Sequence, residues 1–142
     1  MQADVVQAGQ VYGAAGGCGL LGRSAPVAVL AIDVLHHIPD ADKPVGFIAA
    51  YMDAVCPGSY VSVAHTGDDK ALVTGLATFN DHYHIPVPPL TFRNPTHIAE
   101  FFDGLELVEP GIISIPLWHP GSGEDLSVDL EGFPACCGLG HK

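Results

Sequence analysis

The stretch Val27-Ala-Val-Leu-Ala-Ile-Asp-Val-Leu-His-His-Ile-Pro-Asp40 decides the fold of this chain. Its first six residues, Val27 to Ile32, are apolar without a break. Such a run is typical of a strand that is covered on both faces in a parallel sheet. The chain then becomes polar at Asp33, His36 and His37. Because ligands of open α/β sheets bind outside the carboxyl ends of the strands, this junction is the first candidate for a functional site.

The spacing of His36 and His37 alone does not decide between two interpretations. The imidazoles can line a ligand crevice at the end of the strand, where histidine is suited to proton transfer near neutral pH. They can equally cap the helix that follows and face solvent.

A helix and a second strand are predicted directly after this stretch. Apolar residues recur at three- and four-residue steps from Val45 to Val55, which predicts a helix with one buried face. Pro44 suits its first turn, and Pro57-Gly58 stops it. Ser59 to His65 then has the character of a second buried strand.

The second half of the chain predicts two more helices and a change of strand pairing. A helix is expected from Asp68 to about Tyr83, and Asn94-Pro95 is a good start for another because Asn caps and Pro fits the first helical position. Leu105–Val108 and Ile112–Leu117 are expected to form an antiparallel hairpin. The order strand, helix, strand, helix, helix, hairpin predicts an α/β fold, with parallel strands that end in antiparallel pairing. The buried face of the last helix is predicted to contain Ile98, Phe101 and Phe102.

The N-terminal segment contains a Gly-rich motif whose context argues against phosphate binding. Met1 to Val6 suggest the end of a strand or a turn, and Gly13 to Gly22 suggests an irregular connection. Gly17-Cys-Gly-Leu-Leu-Gly22 fits G-x-G-x-x-G letter for letter. A dinucleotide-binding loop needs a strand before it and a helix after it, whereas here a strand is predicted to follow. A nucleotide-binding module is therefore the least favoured interpretation.

The composition predicts one soluble domain that avoids anionic partners. The chain has 142 residues, 48% of them hydrophobic, and 16 acidic residues against 5 basic ones give a formal charge of -11. A surface so anionic repels phosphate backbones and anionic membranes, so neither nucleic acid nor a membrane is expected as a partner. No apolar run is long enough for a spanning helix, and the N-terminal residues lack the basic segment and long apolar run that mark a signal peptide. We expect a cytoplasmic protein.

A zinc site is a weak alternative for the cysteines and histidines. His82 and His84 lie two residues apart and could join Cys136 and Cys137 around a metal. Structural zinc usually takes pairs of ligands separated by two to four residues, which adjacent cysteines do not match. The sequence therefore predicts no metal site, and reduced thiols are expected in the cytoplasm.

Several motifs together resemble one family. The stretch Val27–Asp40 resembles the fourth strand and following turn of class I S-adenosylmethionine-dependent methyltransferases. The fuller resemblance is to the actinobacterial S-adenosyl methyltransferase family. It covers most of the chain from about residue 20 to 120, and it is carried in order by Arg23-Ser-Ala-Pro-Val-Ala-Val-Leu, Pro57-Gly-Ser-Tyr-Val, Ile98-Ala-Glu-Phe-Phe-Asp-Gly-Leu-Glu-Leu-Val-Glu-Pro-Gly and Trp118-His-Pro.

This resemblance implies a fold and a cofactor. The family's sheet has seven strands, and the last strand inserts antiparallel to the others. S-adenosylmethionine is the implied cofactor, and Asp4 matches the position that accepts a hydrogen bond from the adenine amino group. Ile32 and Asp33 would lie beside the cofactor, with Leu35 and His37 close to its methionine end.

The implied activity is transfer of a methyl group to a small-molecule acceptor. Holding the acceptor in line with the methyl group supplies much of such catalysis. A base near neutral pH would assist, and His37 or His36 is the candidate by location. Acceptor specificity would lie partly on the loop from His82 to Arg93.

The resemblance is to the C-terminal portion of the family only. The family's first strand and Gly-rich cofactor loop would lie upstream of Met1, so we expect a truncated domain over residues 1–142 with about half of a cofactor site and impaired activity. The strand Val27–Ile32 would also keep a bare edge, which a second copy or another chain could cover. A non-catalytic remnant, or an interaction protein that a partner completes, is the alternative function.

Overall fold

The computed structural model describes residues 7–17, 24–84, 89–118 and 132–142. Within these ranges helices and strands alternate through the first half of the chain, and short strands follow in the second half. In chain order the elements are α1 (Ala8–Gly17), β1 (Ala28–Ile32), α2 (Pro44–Asp53), β2 (Tyr60–Thr66), α3 (Lys70–Tyr83), α4 (Pro95–Ala99), β3 (Glu106–Leu107), β4 (Ile113–Ser114) and β5 (Ala135–His141). None of the described helices is long and apolar enough to cross a membrane.

The strands form one mixed sheet in the order β1-β2-β5-β3, with β4 also paired to β5. β1 runs parallel to β2, in a register that sets Ala28 opposite Tyr60 and Ile32 opposite Ala64. β5 runs antiparallel along the other edge of β2. The predicted α/β fold is confirmed, including the parallel pair and the insertion of the last strand antiparallel to its neighbours.

The predicted hairpin between the third and fourth strands is wrong. β3 pairs antiparallel with β5 at His141 and Gly140, and β4 pairs antiparallel with β5 at Cys137 and Cys136. Both short strands therefore run in the same direction along one edge of β5, and they do not reverse against each other. The backbone groups of both strands bond to β5. Glu109-Pro110-Gly111 therefore lies in a loop that connects two strands on the same edge of β5.

Two glycines let β5 lie close to the core. A Cβ added at Gly140 would lie 2.7 Å from Cδ1 of Phe102 and 3.0 Å from Cδ1 of Leu105. A Cβ at Gly138 would lie 2.6 Å from Cδ1 of Ile112. These distances are shorter than van der Waals contact, so the strand can approach the Phe102 ring only where it carries no side chain.

The glycine run at Gly13 to Gly22 is helical in its first part, which corrects the predicted irregular connection. α1 extends from Ala8 to Gly17 and packs on α2, with the rings of Tyr12 and Tyr51 edge to face at a centroid distance of 5.5 Å. This packing outweighs the weak helix propensity of glycine. Residues 1–6 and 18–23 lie outside the described residues, as do the predicted strand end at Val5-Val6 and most of the G-x-G-x-x-G motif.

The core lies between the sheet and the helices α2 and α4. The predicted buried faces of both helices are confirmed, since Ile48, Met52 and Ile98 are at most 3% exposed. The cap of α4 is also confirmed, because Asn94 accepts a hydrogen bond from the backbone N–H of His97 at 3.0 Å. β1 differs from its prediction: Leu30 is 70% and Ile32 is 49% exposed, because no described element covers that face of the strand.

Candidate functional site

A polar cluster forms where β1 and β2 end, on the same edge of the sheet. The backbone N–H of Asp33 still bonds to the carbonyl of Ala64 at 3.1 Å, so the parallel ladder continues to the last residue before the turn. Asp33 then adopts a left-handed backbone conformation with φ 52°, which aspartate tolerates better than most residues. This conformation redirects the chain into the 3-10 turn Leu35–His37.

The two adjacent histidines of this turn lie against each other but differ in exposure. Their Nε2 atoms are 3.1 Å apart and their ring centroids 4.3 Å apart. His36 is buried at 8% exposure, whereas His37 is exposed. Burial lowers the pKa of His36, with the neighbouring His37 as the next cause. The structure thus places a buried, neutral imidazole behind an exposed one.

Thr66 at the end of β2 limits where the protons of this pair can lie. Its Oγ1 atom is 3.3 Å from Nδ1 of His36. If Thr66 donates, Nε2–H of His36 donates to His37; if His36 donates to Thr66, Nε2–H of His37 donates to His36. The second arrangement leaves the Nδ1 lone pair of His37 available to accept a proton.

Arg93 is the centre of this cluster, and its five N–H donors all have acceptors. Its guanidinium, 4% exposed, donates to one carboxylate oxygen of Asp40 from Nε at 3.0 Å and from Nη2 at 2.7 Å. It also donates to the carbonyl oxygens of Leu35 at 3.0 Å and Ile38 at 2.8 Å. The remaining donor, on Nη1, lies 2.7 Å from Nε2 of His65.

His65 is fully buried beside Arg93, and its proton position follows from its neighbours. Nδ1 lies 2.7 Å from the carbonyl oxygen of Thr66, which can only accept, so Nδ1 carries the proton and Nε2 accepts from Arg93. Burial lowers the pKa of His65 to about 4, and the positive charge of Arg93 contributes. The ring also stacks on Phe101 at a centroid distance of 5.9 Å.

The sequence-based selection found part of this cluster and missed part. It selected Asp33, His36 and His37, which the structure brings together, but it gave no role to His65 and took Arg93 only as the end of a loop. The sequence did indicate His65, because it ends the second predicted strand. Asp33 was selected for the same reason, since ligands bind outside the carboxyl ends of the strands. Arg93 carries no such signal, since its partners lie 28 to 58 residues away in the chain.

The residues predicted to bind the cofactor fall into three situations. Ile32 and Asp33 are exposed at the sheet edge. The side chain of Leu35 is 3% exposed and belongs to the hydrophobic core. Asp4 lies outside the described residues. Their roles, and those of the two histidines, stay predictions.

A separate apolar cavity of about 340 Å³ lies beside β1, between α1 and α2. Tyr12, Phe47 and Tyr51 contribute rings to its wall, and Val29 and Leu35 contribute aliphatic side chains. Val34, Leu35 and Ile38 also line it, so the cavity adjoins the turn that carries the two histidines.

The alternative sites considered from the sequence receive no support. Among the described residues, no group of three His, Cys, Asp or Glu side chains is arranged to hold a metal ion. Burial raises the pKa of the Cys136 and Cys137 thiols. The G-x-G-x-x-G motif begins at Gly17, and the residues before it form the helix α1 where a dinucleotide-binding loop would need a strand.

Comparison with known proteins agrees with this fold. A family model described as S-adenosyl methyltransferase matches residues 1–142. A solved DUF574-family protein from Streptomyces avermitilis is 26% identical with a TM-score of 0.85, and the match covers 100% of this chain and 54% of that protein. A candidate methyltransferase from Thermobifida fusca is 26% identical with a TM-score of 0.81, covering 100% and 53%.

Comparison with a more distantly related solved structure supports the fold and nothing further. An O-methyltransferase family protein from Burkholderia thailandensis is 15% identical with a TM-score of 0.55, and the match covers 100% of this chain and 35% of that one. None of the curated proteins compared with this chain matches it. The chain spans about half the length of the two solved structures that are 26% identical to it.

Proposed function

Because this chain belongs to the S-adenosyl methyltransferase family, we propose that it takes part in methyl transfer from S-adenosylmethionine to a small-molecule acceptor. The observation that carries this proposal is the position of Asp33, His36 and His37, which follow the carboxyl end of β1 where that strand runs parallel beside β2. Ligands of open α/β sheets bind at that edge.

The residues at this edge fit the cofactor chemically. S-adenosylmethionine carries a sulfonium charge and an ammonium group, and Asp33 offers an exposed carboxylate beside the exposed apolar side chain of Ile32. We assign Ile32 and Asp33 to the cofactor surface and Leu35 to support behind it. Asp4 is assigned to the adenine amino group by the family resemblance. The bound cofactor would supply the methyl group as an electrophile.

His37 is the better candidate for the base of the pair. It is exposed, whereas His36 is buried with a partner at each ring nitrogen. In the arrangement where Nε2–H of His37 donates to His36, the Nδ1 atom of His37 can take a proton from the acceptor as it attacks the methyl group. His36 then holds the orientation of the exposed ring.

The chain supplies part of a site in this proposal. The residues that resemble the family here do not include its Gly-rich loop, so we expect methyl transfer by this chain alone to be impaired. The loop between α3 and α4, from His82 to Arg93, is the assigned source of acceptor contacts.

A second candidate is a protein without catalysis that a partner completes along β1. The observation that favours it is the pair of exposed apolar residues on this strand, Leu30 at 70% and Ile32 at 49% exposure, next to an edge that no described strand pairs with. An exposed strand edge is a template for pairing with another chain. A second copy of this chain or another protein would add a strand there.

Calorimetric titration with S-adenosylmethionine and S-adenosylhomocysteine tests the first candidate, with the oligomeric state measured by light scattering. We expect affinity in the micromolar range and a loss of roughly tenfold or more in Asp33→Asn, the size of one lost hydrogen bond to a charged group. Asparagine tolerates the left-handed backbone at this position, so the variant removes charge without strain.

Asp42→Asn is the matched control, because Asp42 is an exposed carboxylate on the neighbouring turn. Equal affinity of both variants would refute the assigned role of Asp33. If a folded sample binds neither ligand at millimolar concentration, the proposed enzyme role of this chain fails. A dimer in that same sample would then support the second candidate.

A further inference from the structure

We propose that Arg93 is a positioning residue for the histidine pair, because its buried guanidinium ties the turn that carries His36 and His37 to the end of β2. This inference deepens the proposed function and rests on it for the task of the pair. Its geometric part can be tested without any ligand.

Arg93 has no donor left for a substrate. Its five N–H groups meet the carboxylate of Asp40, the carbonyl oxygens of Leu35 and Ile38, and the ring of His65. The residue is 4% exposed. A guanidinium that is buried and fully satisfied acts through the groups that it holds, so Arg93 is not a catalytic residue.

The contacts of Arg93 fix the turn at three points. Leu35 and Ile38 are held by their carbonyl oxygens and Asp40 by its side chain, so the anchors enclose the two histidines on both sides. A lysine at this position has a single nitrogen with three donors and cannot match a planar set of five. The guanidinium geometry is therefore what the turn requires.

A second path leads from Arg93 to His36 through β2. Arg93 donates to Nε2 of His65, and Nδ1–H of His65 donates to the carbonyl oxygen of Thr66. The hydroxyl of the same Thr66 lies 3.3 Å from Nδ1 of His36. The backbone of Thr91, two residues before Arg93, also donates to the carbonyl oxygen of His36 at 2.7 Å. His36 is thus held from the turn and from the adjacent strand.

Imidazole nuclear magnetic resonance of the ¹⁵N-labelled protein tests this arrangement in Arg93→Lys and Asp40→Ala. In the unsubstituted protein we expect one fixed neutral tautomer for His36 and cross-peaks between its ring and the Thr66 side chain. Both variants should lose those cross-peaks and show averaging of the His36 and His37 tautomers. Asp40→Ala removes an acceptor whose side chain is 77% exposed, so it weakens the anchor without emptying the core.

Asp42→Ala is the control and should leave the histidine signals unchanged, since Asp42 is exposed and is not among the five acceptor contacts of Arg93. If Arg93→Lys does not fold, Asp40→Ala decides alone. Unchanged His36 and His37 signals in a folded Asp40→Ala protein would overturn the proposal. Changed signals with no S-adenosylmethionine binding by the unsubstituted protein would sustain the positioning and refute the proposed function. Binding of S-adenosylmethionine together with unchanged histidine signals would support the proposed function and refute the positioning role of Arg93.

Discussion

Neighbouring strands β1 and β2 are both predicted to be buried, but the structure covers them to different extents. In β2, Val61 and Val63 are fully buried, and both edges of the strand are hydrogen-bonded. On the opposite face of the sheet, Leu30 and Ile32 of β1 are 70% and 49% exposed, and no described strand pairs with the second edge of β1. An apolar run therefore predicts that a strand can be covered, but what covers it is decided elsewhere in the sequence.

A charge placed in each strand gives the largest expected difference. In Val63→Asp a carboxylate would be buried without a partner, which costs about 5 kcal/mol or more and should unfold the protein. Leu30→Asp places the same charge on the exposed face and should change the free energy of unfolding by about 0.5 kcal/mol or less. Urea unfolding followed by circular dichroism measures both. A comparable loss in Leu30→Asp would mean that β1 is covered in solution, and light scattering would identify a second copy as the cover.

The buried end of β2 predicts a second difference, which depends on pH. The folded state lowers the pKa of His65 from 6.5 to about 4, so between these values the unfolded state binds more protons. Stability should therefore be fully present above pH 6.5 and fall as the pH drops towards 4, by about 3 kcal/mol at most. His65→Gln should flatten this part of the curve of unfolding free energy against pH.

His82→Gln is the matched control on the exposed helix α3 and should keep the slope of the unsubstituted protein. The same slope in both variants would show that His65 does not titrate as its burial requires.

The elements that the sequence predicted are those whose pattern is local. The periodicity from Val45 to Val55 and the Asn94-Pro95 start gave α2 and α4 with their buried faces. Asp33, His36 and His37 were selected because ligands of open α/β sheets bind outside the carboxyl ends of the strands. Each of these predictions needs only a short window of sequence, because one face of one element determines the pattern.

The features that the sequence missed depend on contacts between distant residues. α1 forms in a glycine-rich segment because Tyr12 packs on Tyr51. β5 has the unpromising sequence Ala-Cys-Cys-Gly-Leu-Gly-His, yet it joins the sheet because its glycines leave room for Phe102. The partners of Arg93 lie up to 58 residues away from it in the chain, and no local pattern indicates them.

Replacing a glycine by alanine should destabilise the protein in β5 and stabilise it in α3. Gly140→Ala puts a methyl group 2.7 Å from the ring of Phe102, which is 4% exposed and cannot yield freely, so we expect a loss of about 1–3 kcal/mol. Gly75→Ala lies in α3 with open space around it and should stabilise the helix by about 0.5–1 kcal/mol. Thermal unfolding of the two variants measures the expected loss of stability in Gly140→Ala and the expected gain in Gly75→Ala. A stabilising Gly140→Ala would refute the close approach of β5 to the core.

The smallest expected difference separates the two capped helices. Asn94 caps α4, which carries the fully buried Ile98, whereas Asp69 caps α3, which contains no buried residue. Each cap contributes about 1 kcal/mol to its own helix. Asn94→Ala should lower the free energy of global unfolding by that amount, because α4 unfolds only with the core. Asp69→Ala should instead speed hydrogen exchange of the α3 amides and leave the global value nearly unchanged, since an uncovered helix frays locally. Equal global losses would show that α3 is packed against something in solution.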